Sequence, residues 1–150
     1  MVTNDSRNFL SASPDAYRVI LRGIVDAWNA HELEQIVSFF APDYEGVDVA
    51  QTTAVYGLEG VYASTRLYLD AFPDFHITQE RAVIEGDNAV LVWTVCGTHR
   101  GKFMHIPPTG RFATVRGVSI LTFMDGKIYR GQYMWDVAGL LRAIGLLPEL

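Results

Sequence analysis

Asp136 is the residue near the end of the chain whose type and position suit it for chemistry. It follows the run Tyr133, Met134 and Trp135, and it precedes an apolar helical pattern over residues 137–144. A carboxylate in this place can cap the helix by accepting a backbone N–H from the first turn. It can also act as a general acid or base if it faces an apolar cleft, because partial loss of water favours proton exchange near neutral pH. One oxygen can serve each role, so the residues alone leave both open.

His99 is the second candidate for proton transfer. Strand alternation places it on the same face as Trp93, where it can donate to a substrate oxygen or take up a proton. The alternative is a histidine at a strand end that holds the loop over residues 100–110. Neither the histidines nor Cys96 shows a zinc-ligand spacing, and no phosphate-binding glycine loop is present. We therefore expect no metal and no organic cofactor.

A substrate pocket also needs aromatic and polar side chains from several elements. Tyr44 is expected where the N-terminal helices meet the sheet, and its phenol can orient a ligand oxygen. Alternation along the last strand groups Gln132 with Met134 and Asp136, so Gln132 is predicted to face the pocket and Tyr133 the opposite face, unless a bulge reverses them. The predicted substrate-binding residues are Tyr44, Trp28, Tyr62, Trp93, Phe103, Met104, His105, Gln132 and Tyr133.

Several of these residues also have a plainer interpretation. Core packing is the default for large aromatic side chains such as Trp28 and Trp93. A surface loop is the alternative for His105. Asp48 and Asp74 are interpreted as turn and cap residues rather than catalysts.

The elements that position these residues are predicted from periodicity. Ser13 and Pro14 mark the start of an amphipathic helix that ends near Asn29 or His31. The remaining predicted elements are helices over 33–40 and 58–72, an irregular segment or short strand over 44–51, strands over 75–84, 89–99, 111–123 and 127–135, and a last helix over 137–144. Helices before and after a four-stranded meander predict an α+β fold, with helices covering one face of a curved antiparallel sheet around an apolar pocket.

Composition limits the class of protein. We expect residues 1–12 to be an N-terminal tail and residues 13–150 a single domain. The net charge of −5 without a basic stripe argues against a nucleic-acid partner, and no apolar run is long enough to cross a membrane. Cys96 is the single cysteine, which favours a reducing, cytoplasmic location.

Residues 97–111, GTHRGKFMHIPPTGR, are similar to a motif of the SnoaL-like polyketide cyclase family, which has the NTF2-like cone fold. Residues 40–44, 71–87 and 135–148 also match, so the resemblance covers nearly the whole domain. It implies a cofactor-independent aldol ring closure in an aromatic polyketide, with Asp136 as the acid or base. At Gln132 the chain departs from the family's Trp-x-x-Trp-Asp pattern, and other relatives open epoxides, hydroxylate or isomerise.

We therefore predict a cofactor-independent cyclase of bacterial secondary metabolism, such as antibiotic biosynthesis, that acts on an apolar small molecule. Asp136 would move the proton, and His99 or a tyrosine would stabilise the developing oxyanion. The alternatives are epoxide-opening formation of a cyclic ether, an epoxide hydrolase or isomerase with the same pocket, and a non-catalytic binding domain in which Asp136 only caps. One sheet face is left without helices, and relatives pair through it, so we also expect a homodimer.

Overall fold

The computed structural model describes residues 13–150, and the predicted N-terminal tail over residues 1–12 lies outside the described residues. The helices are α1 (Pro14–Asn29), α2 (Leu33–Val37), α3 (Gly57–Ala71) and α4 (Val137–Ala143). The strands are β1 (Phe40–Asp48), β2 (Val55–Tyr56), β3 (His76–Glu85), β4 (Asn88–Thr98), β5 (Phe112–Met124) and β6 (Lys127–Trp135).

Helix α1 begins where the sequence predicts. The Ser13 hydroxyl accepts a hydrogen bond from the backbone N–H of Ala16 at 3.2 Å, and Pro14 occupies the first turn, where its missing N–H is not needed. The apolar face of the helix packs Tyr17 and Leu21 into the core. The predicted start and face of this helix are confirmed.

Over residues 13–150 the sheet has six strands, in the order β2-β1-β6-β5-β4-β3, where the sequence predicts a meander of four and allows a short strand over 44–51. Strands β3 to β6 form the predicted antiparallel meander. The turn between β5 and β6 uses Asp125 and Gly126 at φ values of 51° and 75°, a left-handed conformation that this residue pair tolerates well. Strand β1 adds a parallel pairing to β6, so the sheet is mixed.

The predicted helix over residues 33–40 is too long, and the irregular segment or short strand predicted over 44–51 is the second half of a strand that already begins at Phe40. The backbone carbonyl of Phe39 already accepts from the N–H of Ile128 in β6 at 3.0 Å, so the chain has joined the sheet by that point. Pro42 is tolerated because the β1–β6 register shifts between Phe40 and Glu45, where no ladder N–H is required.

Helices α1, α3 and α4 cover the concave face of the curved sheet and enclose an apolar interior. One core cluster joins α1 to the sheet around Leu21 and Ile128, and a second joins α3 and α4 around Phe103 and Leu140. The predicted α+β architecture around an apolar pocket is therefore confirmed. Within residues 13–150, no helix combines the length and the apolar character needed to cross a bilayer.

Candidate active site

An apolar cavity of about 230 Å³ lies between the concave sheet face and the helices. Helices α1 and α3 supply one wall, and β1, β4, β5 and β6 supply the other. The lining includes Ile24, Val25, Trp28, Val61, Thr65, Phe72, Phe75, Leu91, Trp93, Val95, Phe103, Ala113, Val115, Leu121, Ile128 and Leu140. Such a lining takes up apolar ligands, and the few polar groups in it determine how a ligand is oriented.

Asp48, at the end of β1, is the one carboxylate among the described residues that line the cavity. Its two oxygens both accept from the indole N–H of Trp135 at 3.0 Å. One oxygen also accepts from the backbone N–H of Ala50 at 2.9 Å, and the other accepts from the hydroxyl of Tyr68 at 3.1 Å. Three elements therefore fix the position of this carboxylate, and its neighbours Tyr68 and Trp135 also line the cavity.

Tyr44 and Tyr133 form a second polar group in the same wall, and their hydroxyl oxygens lie 2.7 Å apart. Burial raises the pKa of Tyr44 to about 12, and the hydrogen bond with Tyr133 opposes this with a smaller lowering. Burial also raises the pKa of Tyr133 well above its usual value, and Tyr44, Tyr68 and Asp48 raise it further. Both phenols therefore stay protonated at neutral pH.

Two glycines make room for this phenol pair. Gly46 of β1 and Gly131 of β6 are direct partners in the parallel register. A Cβ atom on Gly131 would lie 2.6 Å from the Tyr133 hydroxyl oxygen and 2.8 Å from that of Tyr44, and a Cβ on Gly46 would also overlap the Tyr44 hydroxyl. The two hydroxyls therefore occupy a slot on the sheet that only a glycine pair leaves open.

Five of the nine predicted substrate-binding residues line the cavity: Tyr44, Trp28, Trp93, Phe103 and Tyr133. The Trp93 indole N–H donates to the hydroxyl of buried Ser119 at 2.9 Å, and Ser119 is also part of the lining.

The predicted facing of Gln132 and Tyr133 is wrong. Tyr133 and Trp135 point into the cavity, whereas Gln132 and Met134 are exposed on the opposite face of β6. The prediction fixed the alternation by assuming that Asp136 faces inward. The signal that gives the observed orientation is that Tyr133 and Trp135 share one face of the strand, since large aromatic side chains prefer the enclosed face.

Asp136 is exposed and does not line the apolar cavity. Its carboxylate accepts from the backbone N–H of Gly139 at 2.8 Å and caps α4. It borders instead a shallow depression on the outer sheet face, beside Val92, Val118 and Met134. The expected inward placement of Asp136 is therefore wrong, because the alternation that points Trp135 inward points Asp136 outward.

His99 is fully buried on the face that the sequence predicts, but it lies beyond the cavity lining. Its Nδ1 atom accepts from the backbone N–H of Thr109 at 3.3 Å and lies 3.1 Å from the Thr109 hydroxyl. Its ring packs against Phe72 with centroids 5.6 Å apart. The structure thus gives His99 the loop-holding contacts of the alternative interpretation.

Three other predicted binding residues also lie outside the cavity lining. Tyr62 projects from α3 with 39% of its surface exposed. Met104 and His105 have left-handed φ values of 49° and 63° in the turn of the loop, where His105 is exposed and Met104 packs against the second core cluster. The turn points both side chains away from the cavity, whereas their neighbour Phe103 enters it.

Asp48 and Tyr68 are two of the polar cavity residues that the sequence prediction left out, and the others are the hydroxyl residues Ser64, Thr65 and Ser119. The turn role predicted for Asp48 is present in its bond to the N–H of Ala50, and Asp74 holds the end of β4 by accepting from the N–H of Thr98 at 2.6 Å. No local signal places Asp48 beside Tyr68 and Trp135, which are 20 and 87 residues away in the sequence. Among residues 13–150, no group of three or more histidine, cysteine, aspartate or glutamate side chains is arranged to hold a metal ion.

Comparisons with known proteins identify the family of this chain. The aklanonic acid methyl ester cyclase AcmA of Streptomyces galilaeus is 25% identical over 126 residues, which are 83% of this chain and 88% of that protein. The structure of AclR from Streptomyces galilaeus, a hydroxylase candidate, superposes with a TM-score of 0.81 at 28% identity, over 92% of this chain and 90% of AclR.

An NTF2-like protein from Burkholderia pseudomallei superposes with a TM-score of 0.73 at 18% identity, over 87% of this chain and 98% of that one. This similarity confirms the NTF2-like fold. The family model for SnoaL-like polyketide cyclases matches residues 18–144. The chain therefore belongs to the SnoaL-like polyketide cyclase family.

Proposed function

We propose that this protein is a cyclase that closes a ring in an apolar, polyketide-like small molecule by proton transfer alone. The observation that carries the proposal is the apolar cavity in whose wall Asp48 is held, the single carboxylate among the lining residues of the described range 13–150. An apolar site with one carboxylate and nearby hydroxyl donors suits the removal of a proton next to a carbonyl. The similarity to AcmA, which is named a cyclase, supports the same class of reaction.

We assign the proton transfer to Asp48. In an aldol closure, the carboxylate takes the proton from the carbon next to a ketone, and the resulting enolate carbon bonds to a second carbonyl carbon of the same molecule. The proton then returns from Asp48 to the new alkoxide oxygen, so the product is an isomer of the substrate. The reaction therefore needs neither an oxidant nor a co-substrate.

The bonds around Asp48 favour aldol closure over epoxide opening. The carboxylate accepts from the indole N–H of Trp135, the hydroxyl of Tyr68 and the backbone N–H of Ala50, so its oxygens are already placed as acceptors, as a base requires. An epoxide needs an acid near its oxygen. The bond from Tyr68, at 3.1 Å, is the longest of the set and is the one that a substrate C–H replaces.

Asp136 and His99 do not take part in this mechanism. Asp136 caps α4 on the outer face, and His99 is buried behind Phe72 with its Nδ1 bonded to the loop. The catalytic roles expected for them from the sequence need a side chain in the cavity wall, where neither residue lies.

Turnover of a defined substrate tests the proposal. The protein is incubated with aklanonic acid methyl ester, with and without a chelator, and the products are separated by chromatography and mass spectrometry. We expect a product of unchanged mass with one ring more, formed at the same rate with the chelator present. A product that has gained the mass of water would identify a hydrolase. Binding without any new product would identify a binding domain.

A homodimer is part of the same proposal. The outer sheet face carries a set of neighbouring apolar side chains without covering helices, namely Val90, Val92, Val118, Ile120 and Met134. Burial of such a face between two copies would remove apolar area from water. Light scattering after size exclusion tests this, and a monomer at micromolar concentration would contradict it. We also propose a cytoplasmic location, in keeping with the single cysteine.

A further inference from the structure

We propose that Tyr44 and Tyr133 form one subsite that takes the oxygen of a ketone and holds it by a single shared donor. The two hydroxyls line the cavity 2.7 Å apart, close to Asp48 but without a direct bond to it. Catalysis through this subsite rests on the proposed function, whereas its capacity to bind a ketone does not.

The proton count of the pair defines what it can bind. Two phenols bring two hydroxyl protons, and the bond between them uses one, whichever oxygen donates. Within residues 13–150, neither hydroxyl has another hydrogen-bond partner. One O–H therefore remains as a donor, polarised by the bond it shares with the second phenol. A carbonyl oxygen, which only accepts, is the matching ligand group.

The charge state of the pair supports the same ligand class. Burial keeps both phenols neutral, since it raises the pKa of Tyr44 to about 12 and that of Tyr133 well above its usual value. A neutral donor next to the carboxylate of Asp48 accepts partial negative charge on a ligand oxygen better than a second anion would. The subsite therefore suits a ketone that becomes an enolate.

The glycine slot makes the position of this donor fixed rather than adjustable. Gly46 and Gly131 face each other across β1 and β6, and the hydroxyls lie where Cβ atoms would otherwise be. A donor that is already in place does not need to reorganise as charge develops on the substrate oxygen. In the proposed reaction, Asp48 removes the C–H proton, the electron pair moves onto the ketone oxygen, and the phenol pair stabilises that oxygen by its hydrogen bond.

A ketone that cannot cyclise tests the subsite apart from the reaction. We would bind carbon-13-labelled fluorenone, a tricyclic ketone, and measure its carbonyl stretch by isotope-edited infrared spectroscopy. In the wild type we expect a shift to lower wavenumber relative to the Tyr44→Phe/Tyr133→Phe double variant, and about tenfold weaker binding in that variant. Each single variant keeps one free hydroxyl proton and should retain most of the shift.

The controls separate the phenol pair from a general effect of losing a tyrosine. Tyr62→Phe makes the same change on the exposed side of α3 and should leave the band unmoved. The double variant removes both partners of the bond and leaves no buried hydroxyl unpaired, so we expect it to fold. Circular dichroism checks this, and Gly131→Ala, which displaces both hydroxyls without removing them, provides a second test with the same expected loss of shift.

Three results would overturn the inference. The first is a fluorenone carbonyl band at the same wavenumber in the wild type and the double variant. The second is a loss of band shift in the two single variants that adds up to the loss in the double variant. The third is the absence of fluorenone binding by the wild type. Failure of the cyclisation assay would leave the infrared result intact, because fluorenone is bound but not converted.

Discussion

Exchanging aspartate for asparagine at two positions decides which carboxylate moves the proton. Asp48→Asn keeps the shape of the side chain and an oxygen that can accept from Trp135 and Ala50, and its amide can donate to Tyr68 after that hydroxyl rotates. Asp136→Asn is the matched control, because asparagine caps a helix about as well as aspartate.

The expected losses of stability follow from the bonds at each site. Hydrogen bonds to a charged group contribute about 1.5–3 kcal/mol and neutral ones about 0.5–1.5 kcal/mol. Neutralising Asp48, which accepts from three groups, should therefore lower the free energy of unfolding by about 3–4.5 kcal/mol, since each bond loses about 1–1.5 kcal/mol. Asp136→Asn loses only the interaction of a charge with the start of α4, which is less than about 1 kcal/mol. Urea unfolding followed by circular dichroism measures both.

The expected effects on activity differ far more. A positioned general base contributes about 10²–10⁴-fold to a rate, so kcat of Asp48→Asn should fall by that factor while the variant stays folded. Asp136→Asn should keep kcat within about twofold of the wild type, because only a cap weakened by less than about 1 kcal/mol is changed. Initial rates on the substrate that the wild type converts give both values. A large loss in Asp136→Asn with little loss in Asp48→Asn would refute the reasoning and restore the role predicted from the sequence.

Three further predictions concern the buried polar groups. Tyr44→Phe and Tyr133→Phe should each lower the free energy of unfolding by about 1–3 kcal/mol because one buried hydroxyl loses its partner, whereas the double variant should lose less than their sum in urea unfolding. Burial raises the pKa of Tyr44 to about 12 in the folded state, so its contribution to stability is complete below pH 10 and is lost as the pH rises toward 12. Between these pH values, the free energy of unfolding measured with urea should therefore fall less steeply with pH in Tyr44→Phe than in the wild type. Equal slopes in the two proteins would contradict this. His99→Ala should lower the free energy of unfolding by about 2–5 kcal/mol, because the variant removes a buried ring and the N–H of Thr109 loses its acceptor. It should also speed proteolytic cleavage within residues 100–110. A loss of kcat with unchanged stability would instead indicate that His99 contacts the substrate.

The sequence predicts the meander well because its signals are local. Strands β3 to β6 show strand alternation, and short glycine-containing turns join β3 to β4 and β5 to β6, whereas the loop over residues 99–111 joins β4 to β5. Each strand can therefore be recognised within its own ten or so residues. Strand β1 is different. It contains Pro42 and pairs with β6 across a register shift, and nothing within the segment reveals the partner that makes it a strand.

The candidate site shows the same limit. Strand alternation correctly groups Tyr133 with Trp135 and Gln132 with Asp136, but alternation alone does not say which group faces inward. Asp48 has an ordinary turn signal, and its two side-chain donors come from α3 and β6. Residues that act through distant partners have no periodicity of their own, so their roles become visible only when the sheet is assembled.

The parallel contact between β1 and β6 determines when the cavity wall is completed during folding. Tyr44 and Tyr133, which meet across that contact, are 89 residues apart in the chain, so their meeting requires closure of most of the polypeptide into one loop. Pairings between distant segments form slowly compared with hairpins. A nascent chain on the ribosome that still lacks the β5–β6 hairpin has no complete cavity wall and cannot bind ligand there. In a refolding experiment, the meander should form before ligand affinity returns.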